Sequence, residues 1–337
     1  MIRARGLVQT FHTRQGRQKS EVRALDGVDL DVEEGEVVGF LGPNGAGKTT
    51  ALRILTTLLK PTEGTATVAG YDVATQSREV RRSIGYVSQA GGTFSGARAG
   101  DEVADHGMLY GLTQAQARRR GQELFEQLDL AGLWRRMPRN MSGGQKRRLD
   151  IVMGLVHDPT LVFLDEPTTG LDPQARANLW HHIADLRARR GATVFLTTHY
   201  LDEADALSDR ILIIDQGRIV ASDTPENLKD GVTGDLVDLE VADPDLVGTA
   251  AKRLEAVAEA VDGDAVEIEG HHVRGRVRRA GRAVPGLLRD LDQSGVGLDS
   301  IEVHRPTLDD VFLTVTGRSL RDAEAATEKP TAEGAHA

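Results

Sequence analysis

Residues 42–50, GPNGAGKTT, match the pattern G-x-x-x-x-G-K-[ST]. In such a loop the backbone along Gly42, Pro43, Asn44, Gly45, Ala46 and Gly47 wraps phosphates, Lys48 neutralises the outer phosphate oxygens, and the Thr49 hydroxyl binds Mg2+, with Thr50 next in the turn. A second glycine-rich turn lies a hundred residues on, in MSGGQKRRLD, Met141 to Asp150. Unsatisfied backbone N–H groups and the helix dipole make such a turn an anion site. One nucleotide needs one cradle, so the second requires another purpose. Ser142 reads as the cap of a helix whose positive end, with the Gly143 and Gly144 amides, points outward with no anion of its own. The plain alternative is a turn that serves only its helix, with Lys146, Arg147 and Arg148 on a solvated face.

LVFLDEP, residues 161–167, supplies an anchor for the metal. A buried apolar strand carries Asp165 to its end, where the carboxylate holds Mg2+ directly or through water. Glu166 follows at once, and successive strand side chains point in different directions, so one carboxylate can face the metal and the other a water aimed at the γ-phosphate. Alone, the same residues would suit a turn at the end of a strand. His199 ends another buried run, TVFLTTH, and ends of parallel strands are where ligands bind in open α/β sheets. Gln89 ends IGYVSQ; its amide oxygen could complete a magnesium shell or simply face solvent.

The elements that must hold these residues are visible in the patterning. Short apolar runs alternate with helical stretches, the signature of a parallel sheet flanked by helices. Val37 to Leu41, Leu161 to Leu164, Thr193 to Thr197 and Ile211 to Ile214 read as strands buried on both faces. Val28, Leu30 and Val32 alternate with Asp29 and Asp31, so an antiparallel section precedes that core. Leu52, Leu55, Leu58 and Leu59 recur at helical spacing, which predicts a helix running to Pro61. Gly91, Gly92, Gly96 and Gly100 predict a locally flexible loop.

From about Asp235 the order changes to strand (236–241), helix (246–258), strand (265–268), strand (273–277), helix (283–291) and strand (301–304), with a closing helix over 308–315. That order is a split βαβ, ferredoxin-like unit. The expected domains are therefore 1–230, containing a helical subdomain at about 90–158, and an α+β accessory domain at 235–317. A tail over 318–337, rich in Ala, Glu and Thr, buries too little apolar surface to order itself.

Bulk properties narrow the function. The 337 residues carry 41 basic and 51 acidic side chains, a net charge of −10, with 4% aromatics; nucleic-acid binding would call for a positive footprint and stacking surfaces. There is no cysteine, which excludes disulfides, thiolate zinc and cysteine nucleophiles. No apolar run approaches the roughly 18 residues of a spanning helix, and the N-terminus has no block suited to a secretion signal.

Taken in order, the phosphate loop, Gln89, SGGQ (Ser142 to Gln145), LVFLDEP, GLD (Gly170 to Asp172) and His199 resemble the ATP-binding subunit of an ABC transporter over residues 1 to about 230. The remainder, above all PTLDDVFLTVTGR at Pro306 to Arg318, is similar to the C-terminal extension of the daunorubicin-resistance-type drug-exporter ATPases. The resemblance implies an ABC-type P-loop fold with a mixed sheet. It also implies a head-to-tail homodimer in which Ser142, Gly143, Gly144 and Gln145 of one chain clasp the γ-phosphate of ATP held by the other's phosphate loop. Glu166 would be the general base or a water-polarising carboxylate, and His199 would contact the γ-phosphate and the attacking water. Lys48 would act on the phosphates, Thr49, Gln89 and Asp165 would serve Mg2+, and Asp172 would link the two sites. Phe11 falls where the family stacks an aromatic on adenine; it could equally be core. The loop Ala90 to Asp101 would dock a separately encoded ABC-2-type permease, placing the chain in the cytoplasm on the inner face of the membrane. Export of a drug, antibiotic or hydrophobic metabolite is the expectation. An importer subunit would carry a barrel-like C-terminal domain, and a soluble ABC ATPase would carry paired cassettes or long coiled coils.

Overall fold

A computed structural model describes residues 1–337 except 16–17, 94–95, 233, 259–265, 279 and 321–337. The described residues form two compact units, Met1–Thr224 joined by Leu320, and Pro225–Ser319.

The first unit opens with the antiparallel hairpin β1 (Ile2–Gln15) and β2 (Gln18–Val32), then β3 (Val37–Leu41), the phosphate loop and α1 (Lys48–Leu55). β4 (Glu63–Val68) and β5 (Tyr71–Asp72) return to the hairpin, and α2 (Ser77–Ser83) leads into β6 (Ile84–Val87). Helices α3 (Ala99–Leu109), α4 (Gln114–Gln127) and α5 (Gly143–Leu155) come before β7 (Leu161–Asp165), α6 (Pro173–Arg190) and β8 (Thr193–Thr198). The unit closes with α7 (Leu201–Leu207), β9 (Arg210–Asp215) and β10 (Arg218–Asp223).

Two sheets result. β2-β1-β4-β5 is antiparallel, with Ile2 opposite Val32 and Ala4 opposite Leu30, so Val28, Leu30 and Val32 are buried as their alternation requires. The second runs β10-β9-β3-β8-β7-β6; its strands are parallel except for β10. Every residue of β3, β7 and β8 is buried, because helices and the antiparallel sheet cover both faces. Phe40, Phe195 and Phe163 on these adjacent strands meet with ring centroids 5.5 and 5.7 Å apart.

Helix α1 stops at Leu55, short of Pro61. Thr57 adopts φ 63°, its N–H donates to Ile54 O and the Leu58 N–H to Arg53 O, the pairing of a Schellman motif. A threonine in the position glycine usually fills hides this stop from the sequence, and Leu58, expected on the buried face, is 58% exposed. Gly100, expected in a flexible loop, lies in the first turn of α3, where an added Cβ would fall 2.1 Å from the Trp134 ring.

The second unit is α8 (Pro225–Gly231), β11 (Asp235–Val241), α9 (Val247–Glu255), β12 (Val266–Glu269), β13 (His272–Val277), α10 (Ala280–Gln293), β14 (Leu298–His304) and α11 (Leu308–Thr316). Its sheet is antiparallel in the order β12-β13-β11-β14, the split βαβ arrangement read from the pattern. Helix α10 starts three residues before its expected beginning because Asp235, remote in sequence, accepts from the Ala280 N–H. Ala265 and the tail from 321 lie outside the described residues.

Candidate nucleotide site

The loop between β3 and α1 can be built only with glycine at its ends. A Cβ on Gly42 would stand 2.2 Å from the Ile214 carbonyl, and Gly47, at φ 110°, would place one 2.5 Å from the Ala24 carbonyl. Gly47 has no side chain to cap α1 and the first turn holds no acidic residue, so the helix offers its amides and positive end to the loop. Asn44 and Gly45 are exposed, Pro43 and Ala46 buried, and Thr49 and Thr50 half-buried in the first turn. Lys48 is buried; its Nζ donates to Gly42 O at 2.6 Å and Pro43 O at 3.1 Å and stands 3.7 Å from Glu166 Oε1.

Beside the loop, β7 delivers both carboxylates. Asp165 is buried and its Oδ1 accepts the Thr197 hydroxyl at 2.7 Å; burial pushes its carboxyl above the ordinary range, partly countered by that hydrogen bond. An arriving cation would relieve this, and one carboxylate with adjoining hydroxyls suits Mg2+, which keeps water and phosphate oxygens among its ligands. Among the described residues no cluster of three or more His, Asp or Glu side chains could hold a metal.

Glu166 turns away from the strand at φ 44°, a left-handed conformation uncommon outside glycine. Its N–H donates to the Thr197 backbone and side-chain oxygens, both at 3.1 Å. Its Oε2 accepts from Gln89 Nε2 at 2.9 Å and from the Thr169 hydroxyl at 3.1 Å, and His199 Nδ1 lies 3.3 Å away. Burial raises this carboxyl, but His199, the Lys48 charge and Thr169 together outweigh it and hold it below the ordinary glutamate range. The structure thus brings Lys48, Gln89, Asp165, Glu166 and His199 around the phosphate loop.

Ser142 and Asp172 stand elsewhere. Ser142 caps α5: its hydroxyl accepts from the Gln145 N–H at 3.3 Å, while Gln145 Oε1 accepts from the Ser142 N–H at 3.1 Å. Gly143 has open space where a Cβ would be, and the turn lines a cavity of about 390 Å³ with Gly170, Leu171 and Asp172, none of the phosphate-loop residues among its lining. Asp172 also caps α6 by accepting from the Ala175 N–H at 2.8 Å. Phe11, opposite Val22 in the hairpin, is 37% exposed and so does not belong to the core.

Sequence reasoning missed three residues. Arg147 is not on a solvated face: it is 7% exposed and donates to backbone carbonyls at the ends of β6 and β7. Asp150, one turn on, accepts from the Gly92 N–H at 2.9 Å. Thr197 holds both Asp165 and Glu166, and its place one strand over from β7 was the signal available, given the parallel sheet.

Comparisons with known proteins place the chain in a family. Residues 25–169 match the family described as ABC transporter. A daunorubicin resistance ATP-binding protein of Streptomyces coeruleorubidus is 45% identical over 92% of this chain and 95% of its own length. A second such protein from the same organism is 40% identical over 95% of this chain and 100% of its own. Among solved structures, a dimeric ATP-binding cassette in a post-hydrolysis state bound to ADP and Pi superposes with a TM-score of 0.60 at 27% identity, covering 66% of this chain and 98% of that one.

Proposed function

The chain belongs to the daunorubicin-resistance-type ATP-binding subunits of ABC transporters, and from that premise we propose how its residues divide the work of hydrolysis and what they drive. It is an ATPase, the nucleotide-binding subunit of an exporter, and such subunits dimerise and work with a membrane permease. Among the described residues no helix is long and apolar enough to cross a membrane, which suits a subunit carried to the bilayer by its permease.

In our reading, ATP enters with its phosphates in the loop 42–47 and exchanges the Lys48 bonds to Gly42 O and Pro43 O for bonds to phosphate oxygens. Phe11, exposed on the hairpin, stacks on the adenine. Thr49, Asp165 and Gln89 would hold Mg2+, which would supply positive charge to offset that of the phosphates. Glu166, ionised and oriented by Thr197, Thr169 and His199, takes the proton from the attacking water. His199 then contacts the γ-phosphate. The second glycine turn serves a second copy. Ser142, Gly143 and Gly144 of one protomer close on the γ-phosphate held by the other in a head-to-tail dimer, and Asp172 links the two sites.

One observation carries this reading: the groups suited to splitting ATP converge on Glu166, while the outward glycine turn faces a different cavity. The permease is of ABC-2 type and docks on the loop 90–101; residues 1–230 do the chemistry, and 235–317 form the accessory domain. The cargo is a drug, antibiotic or other hydrophobic metabolite, supported by the resistance for which the relatives are named.

Glu166→Gln tests the catalytic assignment. It should lower kcat on the order of 100-fold or more while leaving a MgATP-dependent dimer in size-exclusion chromatography. Turnover near wild type in that variant would falsify the role of Glu166.

A further inference from the structure

Helix α5 carries two buried side chains of opposite charge one turn apart, Arg147 and Asp150, 7% and 8% exposed. The guanidinium meets backbone from two strand ends. Nη1 donates to Ser88 O at 2.6 Å, Nε to Pro167 O at 2.7 Å, and Nη2 to Asp165 O at 2.9 Å and Glu166 O at 3.3 Å. Asp150 Oδ1 accepts from the Gly92 N–H at 2.9 Å, and a Cβ on Gly91 would fall 2.9 Å from its Oδ2. The segment between them turns on itself: Gly91 N–H donates to Ser88 O at 3.1 Å and the Ser88 hydroxyl to Gly91 O at 3.0 Å. Gln89 is therefore carried on a turn held at Ser88 by Arg147 and at Gly92 by Asp150.

Packing alone does not call for this pair, since buried charges are commonly replaced by apolar side chains of similar volume at little loss. A planar guanidinium does what an apolar chain cannot: it gathers several carbonyls in one fixed fork. The carbonyls it gathers flank Glu166, whose left-handed φ of 44° persists only if its neighbours over-determine it. We infer that Arg147 and Asp150 are positioning residues, a brace that ties the Gln89 turn and the Glu166 backbone to the helix whose first residues form the second glycine turn. The inference rests on the proposed roles of Glu166 and Gln89. Its consequence is that α5, Gln89 and Glu166 move as one body, so that capture of a γ-phosphate at Ser142 is felt at the same protomer's own catalytic carboxylate.

Steady-state hydrolysis by the full chain tests it, with Arg147→Met, Asp150→Ala and Asp150→Asn measured beside Glu166→Gln. The brace touches no phosphate-loop residue, so Arg147→Met and Asp150→Ala should lower kcat about tenfold or more while KM for MgATP stays within about threefold. Asp150→Asn keeps an oxygen to accept from Gly92 and should recover most of the kcat lost in Asp150→Ala. Should Arg147→Met fail to fold, the two Asp150 variants carry the comparison. Values of kcat within about twofold of wild type, or equal losses from Asp150→Asn and Asp150→Ala, overturn the inference. If those occur while Glu166→Gln is inactive, only the brace falls; if Glu166→Gln itself turns over, the assignment beneath it falls as well.

Discussion

At the scale of single residues, the site is organised by what surrounds Glu166. Its carboxyl lies below the ordinary range because His199, Lys48 and Thr169 outweigh burial, so it is ionised at neutral pH and stays so below the pH at which a free glutamate protonates. A depressed folded-state value contributes stability above the unfolded value that is lost as pH falls through the folded one, and the acid limb of kcat should follow the same window. A pH–rate profile whose acid limb lies above the usual carboxylate range would contradict this. His157 behaves oppositely in origin: burial lowers its imidazole to about 4, while its Nε2 sits 2.9 Å from Ile84 O and its ring stacks on Tyr110 at 3.7 Å. The unfolded chain takes up a proton near the ordinary histidine value and the folded chain does not, so stability is complete above about 6.5 and declines towards pH 4, by roughly 2–3 kcal/mol. Urea unfolding at several pH values should show that decline, and His157→Gln should flatten it. Gly47→Ala should abolish nucleotide binding in calorimetry, since its φ and the nearby Ala24 carbonyl leave no place for a methyl group. That the phosphate loop, Asp165, Glu166 and His199 would meet was legible because each follows or ends a buried parallel strand; the roles proposed for Glu166 and His199 came from the family resemblance. Arg147 was not, because a basic residue that grips carbonyls and one that faces water look the same in a sequence.

At the scale of elements, legibility followed the length and directness of the pattern. Strands β3, β7 and β8 were read nearly to the residue because each carries an unbroken apolar block, VVGFL, LVFL or VFL, as a run buried on both faces requires. The split βαβ order of the second unit was also recovered, since alternation and helical spacing change over sharply there. Boundaries set by remote or atypical partners were not: α1 ends on a left-handed threonine, and α10 begins under a carboxylate from β11. Helix α5 joins the two kinds of information. Its N-cap was readable at Ser142, and Ser142→Ala should lower stability by about 1 kcal/mol in denaturant unfolding. The same substitution should weaken the MgATP-held dimer by far more than that loss implies if, as proposed, the hydroxyl belongs to the face offered to a second nucleotide. An equal, small effect on both would reduce the turn to a cap for its own helix.

At the scale of the molecule, one chain presents two separate glycine-rich turns, each at the start of a helix. Phosphate loop, carboxylates and His199 gather in one place, and the second glycine turn with Asp172 lines another cavity. In the proposed head-to-tail dimer, a symmetric pair of chains, each surface meeting the other's complement, would join them into two complete sites. Composition excluded cysteine chemistry and argued against nucleic acid, but no single-chain pattern can show whether a residue's partner lies in another copy; only the surplus cradle raised that question. The most direct measurement mixes two defective chains. Lys48→Ala removes one half of the site and Ser142→Arg blocks the other, and each alone should release no phosphate from MgATP. Mixed, they form heterodimers with one site assembled from intact halves, and the account predicts that hydrolysis returns. A mixture as inactive as its parts, beside a wild-type chain that hydrolyses ATP at full rate with the mass of a single copy, would contradict it.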